Sequence, residues 1–205
     1  MSVLFLCIFG MAEFAYRKLN VKVEYTRKFV HIASGLMCLS FPYFIQNKWL
    51  VLVLAVNFFL LLLLSVKFKF LKGINNVERK TYGSFLFPLT IFVMYIIYQK
   101  LNNIDFYYLP LLIFAISDPL GALIGKSFPI KKYTLFQQQK SYGGSLAFLI
   151  SALLIGVVYY KFESQFIINV ITISILATIT EAFSFKGTDN ITVPLVVAIT
   201  MYLFL

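Results

Sequence analysis

Long apolar runs follow one another along the whole chain, and short polar segments separate them. A helix needs roughly 20 mostly apolar residues to cross a bilayer. The pattern therefore predicts an all-α membrane bundle of seven or eight spans, which forms a single membrane-embedded domain over residues 1–205. The first and last runs are the shortest. The predicted spans are residues 2–16, 29–46, 49–66, 84–99, 106–125, 144–161, 165–182 and 191–205.

Composition excludes a soluble domain. Hydrophobic residues make up 60% of the chain and charged residues only 13%, whereas soluble domains carry about 25% charged residues. The spans and their connections leave no room for a separate soluble domain. The two cysteines, Cys7 and Cys38, both lie in apolar runs and lack the spacing of a metal site or a disulfide framework.

The basic residues predict how the bundle is oriented. Of the 18 Lys and Arg residues, 15 lie in one alternate set of connections. Positive residues stay on the cytoplasmic side of a membrane, so we expect four loops inside the cell and both termini outside. This topology accounts for the net charge of +10, and nucleic acid is not an expected partner.

Unusual polar residues gather at the predicted cytoplasmic level. Ionisable groups in spans are costly and usually face a protein interior or a water-filled site. Arg27 and His31 share a helix face with Gly35, and beside them Lys28 adds a second cation. An Arg side chain can donate two hydrogen bonds to one phosphate. The alternative is that Arg27 and Lys28 anchor the helix at the lipid headgroups while His31 packs between helices.

A carboxylate follows near the end of the fifth span. Asp118 shares a face with Gly121 and Gly125, and Lys126 comes next. Two glycines leave space for a ligand, and the carboxylate offers an oxygen to Mg²⁺. A packing seam of small residues would also explain the glycines, but it would not explain Asp118.

Two polar loops precede the fourth and sixth spans. The first contains Arg79 and Gly83, and the second contains Lys140, Ser141 and Gly144. Glycines and hydroxyls before a helix can form a phosphate cradle, although the Walker order is absent. A solvated loop and a capped turn are the respective alternatives.

Further acidic and amide groups lie near the C-terminus. Glu181 ends the seventh span at the predicted depth of Asp118, while Asp189 and Asn190 precede the last span. Asp189 alternatively serves only as a helix N-cap. The predicted Mg²⁺ ligands are Asp118, Glu181, Asp189 and Asn190. Phosphoryl transfer needs mainly positioning and charge neutralisation, so the residues predict a membrane enzyme that moves a phosphate-bearing group onto or off a lipid.

The motifs also resemble a known family in their order, from about residue 24 to residue 196. The chain resembles the polyprenol kinase family, which includes phytol kinases, dolichol kinases and CTP-dependent diacylglycerol kinases. The phytol kinase branch is nearest, because Gly143 stands where dolichol kinases and cytidylyltransferases often carry an acidic residue. The motifs are Arg27-Lys28-x-x-His31-x-x-x-Gly35, Arg79-Lys80-x-x-Gly83, Asp118-x-x-Gly121-x-x-x-Gly125-Lys126, Lys140-Ser141-x-x-Gly144-Ser145, and Glu181-Ala182-Phe183 with Asp189-Asn190-Ile191-Thr192-Val193-Pro194.

The resemblance implies a kinase that phosphorylates a membrane isoprenoid alcohol such as phytol, geranylgeraniol or farnesol, with CTP as the phosphate donor. It implies that Asp118 and Glu181 hold Mg²⁺ or activate the hydroxyl, and that His31 orients a phosphate or moves a proton. We expect a bacterial or archaeal enzyme of the inner membrane with its site on the cytoplasmic face. The cations expected to bind the triphosphate are Arg27, Arg79, Lys126 and Lys140.

Two other functions remain open. A cytidylyltransferase similar to CDP-diacylglycerol synthase has a comparable Asp-Gly-Lys-Ser region, but it would release pyrophosphate where a kinase releases CDP. A transporter would use intramembrane carboxylates for ion coupling, and it should place polar residues near the bilayer centre. The gathering of polar residues at one face disfavours the transporter.

Overall fold

The computed structural model describes residues 1–76, 81–136 and 138–204, and it is a helical bundle. The predicted all-α class is confirmed. Between the long helices lie two four-residue helices, α3 (Phe41–Phe44) and α5 (Lys72–Asn75), and a 3₁₀ turn at Ser164–Phe166. The long helices are α1 (Ser2–Lys18), α2 (Val23–Cys38), α4 (Lys48–Phe68), α6 (Gly83–Leu101), α7 (Asp105–Ser127), α8 (Tyr142–Tyr159), α9 (Ile167–Phe183) and α10 (Asp189–Phe204).

Five helices of the described part are long and apolar enough to cross a membrane. These are α4, α6, α7, α8 and α9, the last together with its preceding 3₁₀ turn. The helix α10 is apolar but shorter. The helices α1 and α2 have 17 and 16 residues. Eight spans, and an orientation with both termini outside, therefore stay predictions.

The second predicted span, 29–46, is wrong at both ends. The helix α2 begins at Val23 and includes Arg27 and Lys28. Lys28 points into the bundle and is only 5% exposed. The helix ends at Cys38, and Pro42 lies in the first turn of α3. Proline lacks the N–H that a continuous helix needs, and it disfavours helical backbone in the residue before it.

The helix α7 lies at the centre of the bundle. It packs against α2, α6, α8 and α10. In its most apolar 18-residue stretch 56% of the residues are buried, against 17% in the corresponding stretch of α4. On the outside, α1 packs on α2, α4 on α6, and α9 on α8 and α10. Asp118 is carried by α7, so most of the bundle meets around the helix that holds the central carboxylate.

A β-hairpin joins α7 to α8. Its strands β1 (Lys132–Leu135) and β2 (Gln138–Ser141) are antiparallel, with Tyr133 opposite Lys140. The sequence pattern predicted only a loop here. The hairpin leads directly into α8 and brings Lys140 to α9, where it contacts Glu181.

The loop between α9 and α10 packs against the start of α6. The Tyr82 backbone N–H donates to the carbonyl of Lys186 at 2.8 Å. Gly187 has φ +89°, a conformation that L side chains rarely adopt. A Cβ at Gly187 would also collide with the backbone nitrogen of Gly83. The close approach places this loop beside the ends of α6 and α10.

Candidate active site

The polar ends of the helices surround a cavity of about 380 Å³. Small-molecule sites typically measure about 300–1,000 Å³. We call the end of the cavity lined by charged side chains the polar chamber. Its charged residues come from α2, α7, the hairpin, α9, α10 and the loop before α10: Glu24, Arg27, Lys28, His31, Asp118, Lys126, Lys132, Lys140, Glu181, Lys186 and Asp189.

An apolar branch extends from the polar chamber between α1, α2, α4 and α6. One stripe of α4 lines it, with residues spaced by three or four positions as expected for one helix face. The rings of Phe5 and Phe58 also line it and contact each other between α1 and α4, with their centroids 4.3 Å apart. The stripe of α4 consists of Val51, Leu54, Ala55, Phe58 and Leu62. The cavity therefore joins a charged compartment to a hydrocarbon-like one.

Lys28 and Asp118 form a buried ion pair in the polar chamber. Lys28 Nζ donates to Asp118 Oδ2 at 2.8 Å, and the two side chains are 6% and 7% exposed. Burial of either charge alone would be costly, and the opposite charge compensates part of that cost. The pair joins α2 to α7. The headgroup-anchor alternative is wrong for Lys28, because its side chain is inside the protein.

His31 lies next to this pair and packs against two aromatic rings. Its ring contacts Phe87 and Phe114 edge-on, with centroid distances of 5.2 Å and 4.5 Å. His31 Nε2 is 3.0 Å from the Phe114 carbonyl oxygen and 3.8 Å from Asp118 Oδ2. A carbonyl oxygen only accepts, so Nε2 carries a hydrogen. The packing role that the sequence allowed is therefore present, beside the carboxylate predicted to be catalytic.

Lys140 and Glu181 form a second ion pair on the other side of the chamber. Lys140 Nζ donates to Glu181 Oε1 at 2.7 Å and also to the Glu181 backbone carbonyl oxygen. Their side chains are 15% and 17% exposed, so water screens this pair only in part. It ties the hairpin to the end of α9.

Lys126 is more open to solvent. Its ammonium lies 3.1 Å from Glu24 Oε2, and its side chain is 58% exposed. An exposed pair of this kind contributes little to stability. Arg27, from the neighbouring turn of α2, also lines the cavity. Lys126 and Arg27 thus lie at the cavity as predicted, on different helices.

Four carboxylates line this one cavity: Glu24, Asp118, Glu181 and Asp189. Asp118 and Glu181, which were predicted to lie at one site, both line this cavity. Asn190 also lines the cavity, but its side-chain amide donates to the Gly83 carbonyl oxygen at 2.6 Å and so connects α10 to α6.

The donor set fits Mg²⁺ only as a shared site. Carboxylate oxygens are ligands that Mg²⁺ prefers, and in nucleotide sites one or two carboxylates act together with substrate phosphates. Residues 1–76, 81–136 and 138–204 contain no group of three His, Cys, Asp or Glu side chains that could hold a metal alone. Asp118 and Glu181, with Asp189 nearby, would therefore hold the ion together with phosphate oxygens.

Gly144 of the predicted phosphate cradle closely contacts Gly121 and Gly125, the two glycines predicted to leave space for a ligand. A Cβ at Gly144 would lie 2.7 Å from the Gly121 carbonyl oxygen and 3.1 Å from Gly125 Cα. The Ser141 hydroxyl accepts from the Gly144 N–H at 3.1 Å, so the capped turn that the sequence allowed is present. The packing seam is also present, between α7 and α8. The three glycines and Ser141 still line the cavity.

One predicted site residue, Arg79, lies outside the described residues. The structure adds cavity-lining residues that the motifs did not include: Ser34, Glu24, Lys132 and Lys186. Ser34 follows His31 by one turn, and this spacing was the only signal for it in the sequence. The hairpin and the loop before α10 bring in Lys132 and Lys186, and no periodic pattern marks either of them.

One comparison with known proteins bears directly on this site. The chain is 29% identical over 188 residues to a phytol kinase from Synechocystis sp., and the match covers 90% of this chain and 81% of that protein. The chain resembles the polyprenol kinase family, near its phytol kinase branch. No family model matches the chain, and no solved structure matches it. The resemblance to the polyprenol kinase family inferred from the motifs is thus supported over most of the chain.

Proposed function

We propose that the chain is a CTP-dependent kinase that phosphorylates a membrane isoprenoid alcohol. The observation that carries this proposal is the buried Lys28–Asp118 pair, which lies in a charged chamber continuous with an apolar branch. A lipid alcohol has the same two parts, a polar end that reacts and an apolar tail. The similarity to a phytol kinase supports the same class of reaction.

The reaction is a phosphoryl transfer. The oxygen of the alcohol forms a bond to the γ-phosphorus while the bond from that phosphorus to the β–γ bridging oxygen breaks. The products are a phosphate monoester and a nucleoside diphosphate. The proton of the alcohol passes to the Asp118 carboxylate, which lines the polar chamber. Such transition states are loose, so positioning and charge stabilisation supply most of the catalysis.

The cations of the chamber would neutralise the triphosphate. Lys140 and Lys126 lie on the hairpin and on α7, and Arg27 lies on α2, so they approach an anion from different sides. Mg²⁺ held by Asp118, Glu181 and the phosphate oxygens would stabilise charge on the leaving diphosphate. Lys28 would stabilise charge near the attacking oxygen, because it is already within hydrogen-bond distance of Asp118.

A product assay tests this function. Purified protein in lipid nanodiscs, given Mg²⁺ and CTP labelled in its γ-phosphate, should transfer the label to geranylgeraniol or phytol and release CDP. Parallel reactions with ATP, GTP and UTP measure the nucleotide preference by mass spectrometry. Release of pyrophosphate together with a CMP-linked lipid would instead establish the cytidylyltransferase. Solute flux into liposomes without nucleotide turnover would establish a transporter.

Lys140 gives a second prediction at the same site. Lys140→Gln should raise the KM for the nucleotide by about tenfold or more, because a charge-assisted hydrogen bond to phosphate contributes about 1.5–3 kcal/mol. The KM for the alcohol should change little. Lys100→Gln is the control, since Lys100 lies at the end of α6 and does not line the cavity. Equal nucleotide kinetics in the two variants would remove Lys140 from the nucleotide site.

A further inference from the structure

The hydroxyl group of Ser34 is buried and has no hydrogen-bond partner among the described residues. Serine and threonine in helices commonly donate to a carbonyl three or four residues earlier. Ser65, Ser151 and Thr90 all do so here. Among buried serines of the described residues, Ser34, Ser117 and Ser174 have hydroxyls without a hydrogen-bond partner.

Of these three serines, Ser34 lines the cavity and the other two do not. Ser34 is only 4% exposed to solvent. A buried hydroxyl without a partner is unfavourable, so a side chain left in this state beside a cavity indicates a ligand that completes the hydrogen bond. The partner must be a small polar group, because the residues beyond Ser34 are apolar.

Ser34 lies at the boundary between the two parts of the cavity. On α2, His31 precedes it by three positions and Cys38 follows it by four, so the three side chains form one stripe. His31 belongs to the polar chamber and Cys38 to the apolar branch. A group bound to Ser34 would therefore be one helical turn from His31, with its apolar part directed along the branch.

The apolar branch ends in tightly packed side chains. Cys38, Phe41, Val51 and Ile91 line it and are each 0–3% exposed. Behind them the Tyr95 hydroxyl donates to the Ile45 carbonyl oxygen, which fixes the chain at the end of α3. The axial distance from Lys28 to Cys38 is about 15 Å at 1.5 Å per residue. The branch is therefore finite in length.

We propose that this branch is the acceptor subsite, in which Ser34 hydrogen-bonds the oxygen of the lipid alcohol and the packed end at Cys38 and Val51 limits the length of the tail. The proposal rests on the proposed function for the reaction that follows. Binding of the alcohol does not need the nucleotide and can be measured by itself.

Replacing Ser34 tests the anchor. Ser34→Ala should raise the Kd for tritiated geranylgeraniol about tenfold, measured in nanodiscs without nucleotide, as expected for the loss of one hydrogen bond. Ser174→Ala is the matched control, because Ser174 also has an unpartnered buried hydroxyl but lies away from the cavity. Ser34→Ala should not lower the Tm of the ligand-free protein. A purely structural Ser34 would give the opposite result: a lower Tm and an unchanged Kd.

Enlarging Val51 tests the length limit. Val51→Phe fills the end of the branch, so it should reduce binding of geranylgeraniol by tenfold or more relative to the shorter geraniol. Val53→Phe is the control, because Val53 is on the same helix, is 54% exposed and does not line the cavity. An equal effect of Val51→Phe on both alcohols, or an equal effect of the two variants, would overturn the length limit.

The two proposals fail in different ways. Alcohol binding that depends on Ser34 and Val51, without phosphorylation by any nucleotide, would retain the subsite and reject the kinase. Phosphorylation of alcohols that is indifferent to both substitutions would retain the kinase and reject the subsite. Absence of binding by the unmodified protein, with binding by a known prenol-binding protein in the same assay, would reject the subsite directly.

Discussion

Asp118→Asn should reduce alcohol phosphorylation by about a hundredfold or more, since loss of one well-placed electrostatic group in an active site has effects of that size. It should also lower stability by about 3–5 kcal/mol, because it leaves the Lys28 ammonium buried without its counter-charge. Initial rates with labelled nucleotide and thermal unfolding in the same nanodiscs measure the two effects. Full activity in Asp118→Asn would remove Asp118 from the mechanism.

A double variant separates chemistry from folding. In Lys28→Met with Asp118→Leu, no buried charge of the pair remains, and replacement of a buried ion pair by apolar groups is often neutral or stabilising. We expect this variant to recover most of the Tm that Asp118→Asn loses and to stay inactive. Recovery of activity together with stability would show that the pair serves folding alone.

Gly144→Ala should destabilise the bundle by about 1–3 kcal/mol, the usual cost of an overpacked core. The added Cβ would lie 2.7 Å from the Gly121 carbonyl oxygen, and backbone cannot move aside as a flexible side chain can. Because α8 would have to shift away from α7, Lys140 and the Ser141 turn should move with it. We therefore expect activity to fall as well as Tm.

Gly10→Ala is the matched control for this effect. Gly10 also lies within a helix, but a Cβ there would have no atom within 4 Å. Alanine is a better helix former than glycine by about 0.8–1 kcal/mol, so Gly10→Ala should leave Tm unchanged or raise it. If the two variants have equal Tm values, the close contact between α7 and α8 is not tight.

Much of the fold could be predicted from hydrophobic runs. All eight predicted spans contain a helix. In a membrane the backbone N–H and C=O groups of an apolar run must pair with one another, and a helix satisfies them within the run. The second span was misplaced because Lys28 is charged, and a charge normally marks a helix end. Only the position of Asp118 across the helix interface explains why this ammonium is inside. That pairing joins residues 90 positions apart, which no local pattern contains.

The site was predictable where it depends on the type of residue and on its predicted depth in the membrane. Asp118 and Glu181 were placed together because both lie near the same predicted face of the membrane. The partners were not predictable: Lys140 reaches Glu181 through a hairpin whose strands are only four residues long. Ser34 was missed because serine is common in helices, and only its lack of a partner beside the cavity distinguishes it.

The helix α4 separates the apolar branch from the outer surface of the bundle by the thickness of one helix. One of its faces carries Val51, Leu54 and Phe58 toward the cavity, and the opposite face exposes Val53, Val56 and Leu60. An apolar molecule dissolved in the lipids around α4 is therefore only about 10 Å from the apolar branch. Displacement of α4 away from the bundle would let such a molecule enter the apolar branch without contact with water. Its hydrocarbon part would therefore not be hydrated during entry.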